Sequence, residues 1–331
     1  MNQMMKLHKL AYMLLGAAAI LTAAVSCKKD DEDTTVKPSL YGVWFDVPEF
    51  ARIGDEVTVS PSGAYAAAQY ADKLGEVGYF IKINSRGRDT LTTVNAKGNY
   101  TYTFKLDTLK TYTIQCGAFA DGFYETSTTA YIQVLDPGFQ KSLRRNGIFL
   151  GDDSIIDPRG SSVEENTYFY TTAGGLEWFR NNLAYTGSGI CYKDCEVTSY
   201  IFGRYYTYDE ALAACPAGWR LPTDAEWEAL GNKAGDFISD AYLGDIKMWE
   251  YWPEMDMNNS LNLCVIPAGY ATITGINNFK GLYDYAAFWT ATEDPDNASN
   301  ALYRAIYKQN PSVQKGSASK TSFAASVRCV R

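Results

Sequence analysis

Short alternating strands separated by tight turns over residues 38–136, then two capped helices leading into about 100 residues of aromatic-rich strand and loop, predict a multidomain chain. An all-β sandwich is followed by an α+β domain. Composition agrees. The 331 residues are 46% hydrophobic and 21% charged, so the chain is globular, with length for two domains. Aromatics reach 14%, led by 25 Tyr, and tyrosine suits half-buried strands. The formal net charge of −8 becomes −10 once Lys6 and Lys9 leave with the leader. So acidic a chain repels phosphate backbones, and no nucleic-acid partner is expected. The single histidine, His8, also lies in the leader. A mature chain without histidine excludes Ser-His-Asp and Cys-His nucleophile activation and every metal site that needs imidazole.

Residues 1–26 are expected to be a signal peptide. Lys6 and Lys9 make a basic start, and the apolar run Leu10–Val25 falls short of the roughly 20 residues of a spanning helix. It ends in Ala24-Val25-Ser26-Cys27, which resembles the lipobox of bacterial lipoproteins, with Ala24 where that motif most often has Leu. The resemblance implies diacylglycerol in thioether linkage on Cys27, cleavage before it and acylation of the new amine. At about 0.8 kcal/mol per buried methylene, several chains anchor stably. Residues 27–37 form an acidic tether, Asp30-Asp31-Glu32-Asp33 behind two lysines. On charge alone such a run is a solvated spacer. Acidic residues just behind a lipidated Cys also resemble the surface-export signal of Bacteroidetes lipoproteins. That implies a lipid-anchored outer-membrane protein displayed at the cell surface, against the alternative of an anchor facing the periplasm.

Residues 38–136 carry strand-like runs at Gly42–Phe45, Glu56–Ser60, Gly78–Ile83, Asn99–Phe104, Tyr112–Ala118 and Thr129–Val134. Tyr100, Tyr102 and Phe104, like Tyr112, Ile114 and Cys116, recur at every second position, so one face is buried. Gly54-Asp55, Lys97-Gly98-Asn99 and Asp121-Gly122 supply turns. About seven short strands in this length predict an Ig-like sandwich. The stretch Tyr112–Tyr124 also resembles the end of a polycystic-kidney-disease-type (PKD) domain. Cys116 has no partner in this domain and is expected to be a buried core thiol. Residues 137–160 have little periodicity and read as a linker holding at most one short strand, Gly147–Leu150.

In residues 161–331 two capping boxes stand out. Thr207 with Glu210 opens a helix over Tyr208–Ala214, which Pro216 and Gly218 end; Thr223 with Glu226 opens a second. Trp227 and Leu230 fall three apart on one face of that second helix. Five segments here resemble, in order, the Fibrobacter succinogenes major paralogous domain of Bacteroidetes surface lipoproteins. They are Glu165–Tyr168 with Leu176–Trp178 through Asn182-Leu183; Gly203–Thr207 leading into Ala214–Pro222; Ile266–Tyr270; Phe288–Glu293; and Ser326–Val330. The resemblance implies a C-type-lectin-like fold, related to that of formylglycine-generating enzymes, and brings no catalytic residues with it.

The resemblance places Cys215 and Cys329 at family-typical positions, and export favours oxidation, so they are expected to pair; two buried thiols are the alternative. Cys191 and Cys195, four apart in a polar loop, suit a local disulfide better than a zinc site, which lacks histidine. Cys264 is left as core. The string Arg220–Leu230 also resembles formylglycine-generating enzymes, but such oxidases need a reactive cysteine pair near the C-terminus, where this chain has Cys329 with Cys264 next upstream. No enzyme is expected. The oxygen-rich loop of Glu293, Asp294, Asp296 and Asn297 superficially resembles lectin calcium loops, but Asp, Pro and Asn are ordinary turn residues, and a turn is the favoured reading. Calcium is the one metal this loop would suit, and no cofactor is expected otherwise. Trp249, Tyr251 and Trp252 beside Asp256 and Asn258 would suit sugar stacking if exposed, or would pack the loop on the core. The resulting expectation is a surface lipoprotein whose C-terminal domain binds an extracellular glycan or protein and whose N-terminal domain is a spacer. A structural subunit of a cell-surface complex is the second reading, and an oxidase the third.

Overall fold

Period-two alternation decides the first half of the structure. Along Thr111–Phe119, Tyr112, Ile114 and Cys116 are buried while Thr113 and Gln115 between them are only half-buried. Val57 and Val59 do the same in Glu56–Val59. The structure, a computed structural model, describes residues 37–136, 153–160, 166–244, 246–250 and 255–331. The leader, most of the tether with Cys27, and the strand expected at Gly147–Leu150 lie outside the described residues.

The sandwich is a five-stranded sheet in the order Phe50–Arg52, Thr126–Leu135, Thr111–Phe119, Gly78–Ile83, Asp89–Thr90. A two-stranded sheet, Glu56–Val59 with Tyr102–Lys105, contributes to the same core of Val59, Ile81, Leu106, Ile114 and Ile132. Phe50–Arg52 joins in parallel and the other pairs are antiparallel. The run Gly42–Phe45 is not a strand: Gly42 sits at φ +81°, and only Trp44 pairs, with Ser62. Cys116 is a fully buried thiol, and burial pushes its pKa up to about 12, which makes it inert.

The regular structure of the C-terminal region is mostly strand. Three three-stranded sheets carry it: Asp153–Ile156 with Thr167–Ala173 and Leu176–Phe179; Asn277–Lys280 with Tyr270–Ile273 and Phe323–Ala324; and Tyr285–Glu293 with Asn300–Tyr307 and Gln314–Ser319. Bridges from Gly269 to Ala286 and from Phe288 to Ser326 join the last two. The helices are short, so strand outweighs helix more than an α+β reading implies. Both capping boxes form, and the helices run over Tyr208–Ala214 and Asp224–Ala229. At the second, the Glu226 carboxylate accepts from the Thr223 amide at 2.7 Å while the Glu226 amide donates to the Thr223 hydroxyl at 3.3 Å. Arg220 grips the same carboxylate with two nitrogens, at 2.8 and 2.5 Å, and that pairing drives the Glu226 pKa down to about 2. Trp227 and Leu230 turn inward together, onto Trp178, Phe237 and Phe288.

Asp153–Ile156, read from sequence as linker, is instead an edge strand, with Ile155 opposite Tyr168. Its residues, Asp153-Ser154-Ile155-Ile156, do not alternate polar and apolar, so no period-two signal marks it. The turn after it is fastened down: buried Asp157 pairs with Arg159 at 2.7 Å, and Arg159 Nη2 donates to the Ala214 carbonyl at 2.7 Å. The sandwich also docks on the C-terminal region. Phe50 and Leu135 share a buried cluster with Ile201 and Phe202, Phe50 meets Tyr192 edge-on at 5.7 Å, and the Tyr283 hydroxyl bonds Gln133 at 3.0 Å. Glu49 pairs with Lys193 across the same junction. Residues 38–331 are therefore one compact unit.

Candidate functional site

Strand register gathers tyrosines on one face. Tyr285 stands opposite Tyr307, and Trp289 opposite Tyr303, so Tyr285, Tyr303 and Tyr307 share a side of their sheet. On the next strand Gly316 lies opposite Tyr303 and Ala318 opposite Ala301. The glycine matters: a Cβ there would stand 2.4 Å from Cζ of Tyr303, so the ring lies across a position that only glycine leaves open. Tyr270 arrives from the neighbouring sheet, and Phe323 packs beneath. Ring centroids are 5.5 Å apart for Tyr270–Tyr285, 5.2 Å for Tyr270–Phe323, 5.0 Å for Tyr303–Phe323 and 6.1 Å for Tyr285–Tyr307.

These five rings wall a cavity of about 490 Å³, whose rim carries Lys280 and Asp284. The volume falls in the range of small-molecule sites. The four tyrosines are half-buried. Burial, reinforced by a hydrogen bond with Tyr303, raises the Tyr285 pKa, so its phenol stays protonated at neutral pH. Asp284 is engaged by Lys308. The arrangement offers flat apolar faces with hydroxyl donors at their edges, which suits a ligand that is apolar on one face and hydroxylated at its rim.

The residues singled out from sequence lie elsewhere. Trp249 is 0% exposed and its indole donates to the Val265 carbonyl at 2.9 Å, so it belongs to the core and not to a platform. Its neighbour Met248 is equally buried, so these two side chains belong to the core together. Tyr251 and Trp252 lie outside the described residues. Asn258 donates to Asp256 at 3.3 Å and accepts from the Ser260 amide at 2.8 Å, so this pair shapes a turn. In the oxygen-rich loop, Glu293 pairs with Lys320 at 2.8 Å, Asp294 accepts from the Asp296 amide at 3.0 Å and from Ser317, and Asn297 accepts from the Ser299 amide at 3.0 Å. Among the described residues no three acidic or thiol side chains stand together as a metal site.

Cys215 and Cys329 are bonded. Cys191 and Cys195 are not; both are thiols. Lys193 and Asp194 between them take left-handed backbone, φ +51° and +56°, and the two sulfurs face different partners. Cys191 lies 3.5 Å from a Glu196 oxygen, and Cys195 lies 3.9 Å from the Phe50 carbonyl at the docked sandwich. Sequence reasoning missed the tyrosine cleft. A signal was present in Tyr303, Ala305 and Tyr307 at period two, but only register shows what they face.

The profile of the Fibrobacter succinogenes major domain matches residues 158–331, more than half of the chain. This chain belongs to the Fibrobacter succinogenes major domain family. The cleft, both capped helices and the disulfide lie inside the family domain, and the resemblance read from its five segments holds at the family level. No curated protein matches the chain. Among solved structures, the PKD domain of the human VPS10 domain-containing receptor SorCS2 is similar at 9% identity over 38% of this chain and 97% of its own, with a TM-score of 0.25. The Yersinia pseudotuberculosis adhesin InvE is similar at 10% identity over 89% of this chain and 70% of its own, at 0.26. A carbohydrate-binding module of the β-sandwich superfamily is similar at 12% identity over 89% and 92%, at 0.30. Scores this low assign neither fold nor activity.

Proposed function

We propose that this chain is a lipoprotein displayed on the outer membrane, and that its C-terminal domain, C-type-lectin-like in fold, binds a glycan in the tyrosine cleft. The cleft itself carries this reading. Sugar rings present an apolar C–H face and a hydroxylated rim, and the five-ring wall with its phenol donors complements both. The sandwich serves as spacer, docked against the binding domain rather than strung before it. The reading includes no catalysis, because the titratable groups of the cleft are phenols, Lys280 and an Asp284 held by Lys308.

A glycan array probed with the purified chain tests the cleft. Two aromatic contacts are worth about 1–3 kcal/mol together, so Tyr303→Ala with Tyr307→Ala is expected to weaken binding by about 10-fold or more. Retained thermal stability would show that the fold survives. No bound glycan, or full binding by the double variant, would refute the reading.

Display rests on the leader, Cys27 and the acidic tether. Protease added to intact cells is expected to degrade the chain, and Cys27→Ala to release it from the membrane fraction. A chain protected until the cells are lysed would remove surface display and leave the periplasm-facing anchor.

A further inference from the structure

We propose that the cleft takes an anionic sugar and that Lys280 holds its acid group, an inference that rests on the glycan reading of the same cleft. Among the described residues of 153–331, every other exposed or half-buried basic side chain has a carboxylate within 4.0 Å. Lys308 meets Asp284, Lys315 meets Asp224 at 3.7 Å, Lys320 meets Glu293 at 2.8 Å and Lys247 meets Asp240 at 3.4 Å. Lys193, Lys233 and the exposed or half-buried arginines are matched in the same way. Lys280 is the exception, and it is exposed at the rim of the cleft. In a chain with 38 acidic and 30 basic residues, acids are in surplus. A cation left unmatched there, beside a cleft walled by tyrosines, is a position kept open for an anion from outside.

The backbone places this charge firmly. Lys280 lies opposite Tyr270 in register, so both side chains rise from the same face of their sheet. Gly269, at φ +75°, lets the chain approach so closely that a Cβ there would stand 2.3 Å from the Lys280 carbonyl oxygen. Gly281 follows at φ +74° and turns the strand toward Asp284. The local acid, Asp284, is neutralised by Lys308, so Lys280 is the net charge of the rim. A neutral sugar stacked on the rings would leave this ammonium to water. A carboxylate or sulfate on the sugar gains a charge-assisted hydrogen bond beside the apolar wall, with phenol hydroxyls as further donors.

Matched oligosaccharides in neutral, uronate and sulfated forms, titrated by calorimetry into the purified full chain, test this. The anionic forms are expected to bind about 5- to 10-fold more tightly than the neutral one at low salt, with the difference shrinking as salt rises. Carboxylate and sulfate arms tell the two acid groups apart. Lys280→Gln is expected to bring anionic binding down to the neutral level, and Lys280→Glu to bring it below. Lys105→Gln, on the sandwich, controls for net charge and is expected to leave the preference intact. Equal affinity for neutral and anionic forms, or an acid preference that survives Lys280→Gln, overturns the proposal while the glycan reading stands. If no oligosaccharide of any kind binds, the glycan reading itself falls and takes this proposal with it.

Discussion

Removing the Cys215–Cys329 disulfide is expected to destabilise the folded unit by about 4–5 kcal/mol. The two cysteines are 114 residues apart in sequence, which makes this a long closed loop. In the chain-entropy account the bond acts mainly on the unfolded ensemble, where it forbids most separations of the two positions. The folded state has less to lose. The Arg220 and Val330 backbones already exchange hydrogen bonds of 2.9 and 2.8 Å beside the bond, and Cys329 is sealed among Tyr206, Trp219 and Trp289. The cleft should therefore keep its geometry in a Cys215→Ala, Cys329→Ala variant. Urea unfolding of the variant is expected to show a lower midpoint, and the wild type in strong reductant should move to the same place. A shift under 1 kcal/mol would mean that the unfolded chain is already compact around these two positions.

What the sequence revealed and what it hid divide by range of interaction. Capping is local chemistry: Thr207 with Glu210 and Thr223 with Glu226 each act over three residues, and both helices begin where those boxes put them. Gly78–Ile83 was equally legible, because a run of strand formers bounded by turn signals is also local. The failures are tertiary. Nothing near Trp249 in sequence states that the Val265 carbonyl will take its indole proton. A four-residue spacing does not fix where Cys191 and Cys195 point once two left-handed residues separate them. Phe50 and Leu135 are apolar strand residues like those of any sandwich core, yet they help form the junction with Ile201 and Phe202. The cleft was hidden for the same reason. Tyr270, Tyr285, Tyr303 and Tyr307 come from three strands, and only pairing brings them together.

Replacing Arg328 by Met is expected to cost about 3 kcal/mol of stability and to change its pH dependence. The guanidinium is 1% exposed and ties together three segments far apart in sequence. Nε donates to Asn182 Oδ1 at 2.7 Å, and Nη1 donates to the carbonyls of Phe179 at 3.0 Å and Leu263 at 2.7 Å. Two effects oppose one another. Met relieves the burial of a charge that has no carboxylate partner among the described residues, which by itself favours the variant. Met also leaves three buried acceptors without their donor, at roughly 1 kcal/mol or more each, and the ties between segments go with them. The second effect wins because Arg328 already recovers part of its desolvation cost from those acceptors. The pH arm separates the two. Burial lowers the Arg328 pKa to about 9, and the Arg180 guanidinium lowers it as well, well below the ordinary guanidinium value that the unfolded chain keeps. Between those values the unfolded chain binds more protons, so this group makes the wild type more stable as pH rises. The variant lacks that gain. Urea unfolding at pH 8 and pH 10 is therefore expected to show a stability gap between wild type and Arg328→Met that widens at the higher pH. A variant as stable as wild type at pH 8 would mean that the three acceptors find other donors and that the guanidinium is not what joins these segments.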